Sequence, residues 1–138
     1  MTRSISRTAP RPVVGLALTT VGIVHVLITP VVVGDSVRSI IEGGVVAAVE
    51  RDPAAAVLRG LGFWYVTAGL AMIMLGAMVI WIERTTATVP MLLPWMLVGL
   101  TVWGVLLMPV SPFWVFLLIA FLAFRKARRP LAVTTASS

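Results

Sequence analysis

The one histidine of the chain, His25, falls near the middle of an apolar run, residues 13–33, that is long enough to cross a bilayer at about 1.5 Å of helical rise per residue. An ionisable side chain at that depth is the first place to look for chemistry. Neutral imidazole can relay a proton, contact a substrate or ligate a metal. Thr29 follows His25 by one helical turn, and Tyr65 and Thr67 lie in the next apolar run, residues 60–82, so these four form the candidate intramembrane polar site. The competing reading is structural, because imidazole needs only a donor and an acceptor, and Tyr65, Thr67, Thr101 or a backbone carbonyl could supply them. A single histidine in a chain without cysteine makes neither a bis-histidine haem site nor a closed zinc site, so no metal and no cofactor is expected. Catalytic residues are expected to be none, since no carboxylate pair lies in an apolar run, no glycine-rich phosphate loop occurs, and the serines lie in tails and loops. These residues point away from an enzyme. They leave open a small transporter or a lipid- or quinone-binding protein that uses His25.

Composition indicates what must hold that histidine. Of the 138 residues, 59% are hydrophobic and 12% charged, with a mean hydropathy of +1.05, whereas soluble domains carry about 25% charged residues. A soluble fold of this size buries only about 70% of its unfolded surface, too little to hide so much apolar area. The excess lies in four runs, residues 13–33, 60–82, 91–108 and 110–124. About 20 helical residues cross a hydrocarbon core of about 30 Å. The first two runs do so readily, the third does so if Pro90 and Pro94 sit in its first turns, and the fourth needs Arg125 and Lys126 to reach the headgroups. Spanning backbone must bond internally, and runs without alternation favour helices. The predicted fold is all-α: a four-helix transmembrane bundle over residues 13–124, with a basic cytoplasmic tail at 1–12 and a flexible basic one at 125–138.

Charge placement sets the orientation. Arg3, Arg7 and Arg11 precede the first run, Arg84 lies between the second and third, and Arg125, Lys126, Arg128 and Arg129 follow the fourth. The segment 34–59 holds Arg38, Arg51 and Arg59 together with Asp35, Glu42, Glu50 and Asp52. The positive-inside rule therefore places both termini in the cytoplasm. Basic clusters beside membrane ends suit an anionic leaflet, which accounts for the net charge of +6 without nucleic acid. A cleaved signal peptide is disfavoured, since the first run is too long and ends in Val-Val-Val-Gly-Asp rather than at a small-residue cleavage site.

In the segment 34–59, Val37, Ile40, Ile41, Val45, Ala48 and Val49 recur at helical spacing, predicting an external amphipathic helix that lies on the membrane or docks a partner. Asp52-Pro53 reads as the start of the next helix. Gly62, Gly69 and Gly76 share a face with Tyr65, and Gly15, Gly22 and Thr29 share one with His25. These stripes are expected to meet as an antiparallel pair, with a seam between copies of the chain as the alternative. Ser111 is the expected N-cap of the last helix, followed by Pro112.

Three segments carry a family resemblance: Gly22-Ile23-Val24-His25; Gly62-Phe63-Trp64-Tyr65 with Gly69 and Gly76; and residues 104–114, Gly-Val-Leu-Leu-Met-Pro-Val-Ser-Pro-Phe-Trp. Together they resemble an uncharacterised family of small four-helix membrane proteins common in actinobacteria, over residues 13–124. Pro112 departs from that pattern, where glycine is expected. The resemblance implies a bacterial inner-membrane location and assigns no reaction. With little mass outside lipid, the expected role is a non-catalytic accessory subunit of a larger inner-membrane complex. A lipid-uptake transporter is the host that the resemblance brings to mind.

Overall fold

The computed structural model describes residues 11–128, and among these all regular structure is helical. The elements are α1 (Val13–Val32), α2 (Gly34–Glu42), α3 (Ala48–Arg51), α4 (Ala56–Thr86), α5 (Leu92–Leu107) and α6 (Trp114–Ala127). The chain divides into two compact units, Gly15–Met78 and the flanking chain on either side of it, of which residues 11–14 and 79–128 are described.

Two helices, α1 and α4, are long and apolar enough to cross a membrane, each with a mean hydropathy of 2.0. The fold class expected from the sequence is thus met in its all-helical character, while α5 and α6 are shorter than the predicted spans. With 16 and 14 residues, they rise only about 24 and 21 Å. The third helix begins as expected near Pro90, whose carbonyl accepts the Leu93 N–H at 3.0 Å. The fourth begins at Trp114, later than predicted, and runs on through Arg125 and Lys126. No side chain caps α6, so Ser111 does not play the predicted role, and its Oγ is buried without a partner among the described residues.

The segment 34–59 also departs from a single amphipathic helix. Gly43-Gly44 ends α2, and Gly44, Val45 and Ala47 all take left-handed φ values of 86°, 61° and 56° before α3 begins. A β-branched residue rarely adopts that conformation, so Val45 is held there by its surroundings. Asp52 starts the next helix as predicted, its Oδ1 accepting the Ala54 N–H at 3.0 Å. At its other end α4 stops at Ala87, φ 61°, whose N–H closes onto Glu83 O at 3.1 Å, the left-handed ending more usual with glycine.

Candidate functional site

Within the unit Gly15–Met78, Gly22 lies against Gly69 and Ile73, and Gly76 against Gly15 and Thr19. A Cβ on Gly22 would lie 2.8 Å from Ile73 N and 2.9 Å from Gly69 O, and one on Gly76 would lie 2.6 Å from Thr19 N and 2.9 Å from Gly15 O. Both obstacles are backbone, which cannot swing aside, so α1 and α4 touch main chain to main chain. Gly69 continues the seam against Val26 and His25, whereas Gly62 meets Ser36 and Ile40 of α2.

That close approach positions the histidine. The His25 ring stacks on Tyr65 with centroids 4.1 Å apart and planes 16° from parallel. Its Nε2 lies 3.2 Å from the Tyr65 carbonyl, and a carbonyl only accepts, so Nε2 carries the proton of this bond. The two threonines of the candidate site do not join in. Thr29 Oγ1 donates to His25 O at 3.0 Å and Thr67 Oγ1 to Phe63 O at 2.7 Å, each bonding back onto its own helix. Thr101 likewise donates to Leu97 O at 2.8 Å. Of the four candidates, therefore, only His25 and Tyr65 come together across the helices, through a ring stack and one bond to the main chain.

The sequence reading missed Arg59, whose side chain is half-buried where the left-handed turn passes. Its Nε donates to Ser39 Oγ at 3.0 Å and one terminal nitrogen to Ala48 O at 2.8 Å, while the other lies 3.9 Å from Asp52 Oδ2. The guanidinium also lies across Gly43, 2.9 Å from where a Cβ would stand. One cation thus ties α2, the turn and the start of α3 to α4.

The other unit holds a charged cluster built from α4 and α6. Glu83, fully buried, accepts from Lys126 Nζ at 2.6 Å and from the Val14 N–H at 3.2 Å, and Lys126 Nζ also donates to Arg11 O at 2.6 Å. The carboxylate satisfies a donor in the first turn of α1, an end where helices favour negative charge. Of the four residues expected at the membrane surface, Lys126 is thus set apart as a buried partner. Arg125 and Arg128 are exposed and lie over the Phe121 and Phe124 rings at 5.8 Å, and Arg129 lies outside the described residues. The signal for Glu83 was its isolation, an acid at the end of a long apolar helix with a lysine at the end of another.

A family of unknown function (DUF6463) matches residues 9–130. The chain belongs to DUF6463. That match takes in both glycine stripes, His25, Tyr65, Arg59, Glu83 and Lys126, so the DUF6463 unit contains every constellation described above. No curated protein and no solved structure matches the chain.

Proposed function

We propose that the chain is a multi-pass protein of a bacterial inner membrane, a bundle of four embedded helices with both termini cytoplasmic, acting as a non-catalytic accessory subunit of a larger complex. The observation that carries this reading is the outward direction of its apolar surface. Only 28% of the most apolar window of α1 and 17% of that of α4 is buried within the chain, whereas a core helix of a soluble protein turns its apolar face inward. Trp103, Leu106, Leu118 and Phe121 are likewise exposed on α5 and α6. Lipid and the helices of a partner are the surroundings that suit such faces.

Charge supports the orientation. Arg38 pairs with Glu42 at 3.1 Å and Arg59 lies near Asp52, so the segment between α1 and α4 balances much of its own charge. Arg84 stands exposed near the C-terminal end of α4, and Arg125 and Arg128 at that of α6. Lateral association is the role that suits a chain of this kind, and a lipid-uptake transporter of an actinobacterium is the host we favour. The alternative use of His25 as a ligand or proton site draws less support, because Nε2 is engaged by Tyr65 O and one ring face by the Tyr65 ring. Purification of a chromosomally tagged chain in mild detergent is expected to recover a stoichiometric membrane partner. Recovery of the chain alone, across several detergents and after crosslinking, would overturn the proposal.

A further inference from the structure

We infer that α5 and α6 form a re-entrant hairpin whose turn, residues 108–113, ends among lipid acyl chains instead of emerging into water on the far side. This rests on the membrane reading above and deepens it.

Length is the first argument. The apolar part of α6, residues 114–124, rises only about 16 Å from the plane of Arg125, about half of a 30 Å hydrocarbon core. Arg125 can reach back to the headgroups along its aliphatic stem, yet that adds only a few ångströms. Charge is the second argument. Residues 85–124 contain no Lys, Arg, Asp or Glu, whereas the segment 34–59 that links α1 to α4 contains seven such residues. A turn that stands in water gains from charge; this one presents Val110, 100% exposed, with Leu107 and Met108 also exposed.

The third argument is how the turn handles its polar groups. Non-helical backbone at membrane depth has to find hydrogen bonds within the protein. Met108 N donates to Gly104 O at 2.8 Å, Ser111 N to Met108 O at 3.0 Å, Val115 N to Pro112 O at 3.0 Å, and Phe116 N to Phe113 O at 3.0 Å. Pro109 and Pro112 have no N–H to satisfy. The Trp114 indole, which at an interface would turn its N–H to water, donates it to Pro109 O at 3.0 Å. Phe113 folds back onto Gly104, where any side chain would overlap its ring, so the turn is closed on itself. Proline at 112 fits this setting because it removes a donor. The Ser111 hydroxyl, without a partner among the described residues, is shielded inside the turn, and the occupant that matches an uncharged tip with its apolar side chains outward is hydrocarbon.

Because the chain has no cysteine, single cysteines carry a nitroxide spin label without background. Val110→Cys and, as the water-exposed reference, Glu42→Cys would be purified, labelled and reconstituted into vesicles of phosphatidylethanolamine and phosphatidylglycerol, with nickel chelate on both sides. The Val110 label is expected to collide with oxygen several-fold more often than with the chelate, and the Glu42 label to show the reverse. A Val110 label as open to nickel as the Glu42 label would overturn the inference. So would one shielded from both oxygen and nickel, since protein would then cover the tip. Failure of the unlabelled chain to float with the vesicles would overturn the membrane reading itself. As a second measurement, Val110→Asp is expected to reduce the membrane-inserted fraction several-fold, and unchanged insertion would count against a buried tip.

Discussion

The seam of α1 and α4 around Gly22 and Gly76 and the cluster of Glu83 and Lys126 hold helices together by opposite means. At the seam every contact is neutral, and adhesion comes from backbones brought so close that a methyl group has no room. In the cluster a carboxylate and an ammonium are buried 2.6 Å apart, and main-chain groups share in their bonding. The first arrangement loses little when a neighbour shifts slightly, since each atomic contact is weak and many share the load. The second is all or nothing, because removing one charge strands the other.

That contrast predicts where damage is greatest. Glu83→Ala leaves the Lys126 ammonium buried and unpaired and should cost about 3–5 kcal/mol. Thermal unfolding in detergent would show it as a large fall in midpoint, whereas Glu83→Leu combined with Lys126→Met should recover most of the loss. If the double variant is no better than the single, the pair is not coupled. Gly76→Val and Gly22→Val force the helices apart and should cost about 1–3 kcal/mol each, as overpacking does. Chemical denaturation of the two single variants tests this, and unchanged midpoints would deny the close approach.

Arg59→Ala should act locally and loosen the left-handed turn by about 1.5–3 kcal/mol, the scale of hydrogen bonds to a charged group. Faster cleavage at Arg51 by trypsin, with little change in global unfolding, is the expected readout. His25→Gln removes one interhelical bond and one stack, for about 1 kcal/mol. Recovery of a copurified partner should be unaffected, and its loss would return His25 to a functional role. Ser111→Ala is expected to be the smallest, within about 0.5 kcal/mol of neutral, because the hydroxyl has no bond to lose. A helix cap at that position would instead cost about 1 kcal/mol on the same change.

The glycine stripes were legible because a seven-residue period writes the contact face directly into the sequence, and His25 and Tyr65 followed from lying on those faces. Helix positions for α1 and α4 were legible for the same reason, since long apolar runs have few competing arrangements. Val45 and Ala47 were not, because local propensity argues against left-handed backbone there, and the bonds that close the turn, among them Arg59 to Ala48 O, are not written in a local pattern. Glu83 and Lys126 lie 43 positions apart, so their pairing belongs to tertiary structure alone. Ser111 and Pro112 matched a helix-start pattern, yet the chain uses Pro109 and Pro112 to close a turn and begins α6 at Trp114.

Arg59 also has a bearing on the order of events during synthesis. It follows the turn it stabilises, as a residue of α4 gripping Ala48 and Ser39 that are made before it. Until α4 starts to form, Val45 and Ala47 have only the local main-chain bonds of the turn to hold their left-handed state. The turn between α2 and α3 is therefore completed only once Arg59 has been made, and a chain cut before Arg59 is expected to be cleaved faster there by proteases.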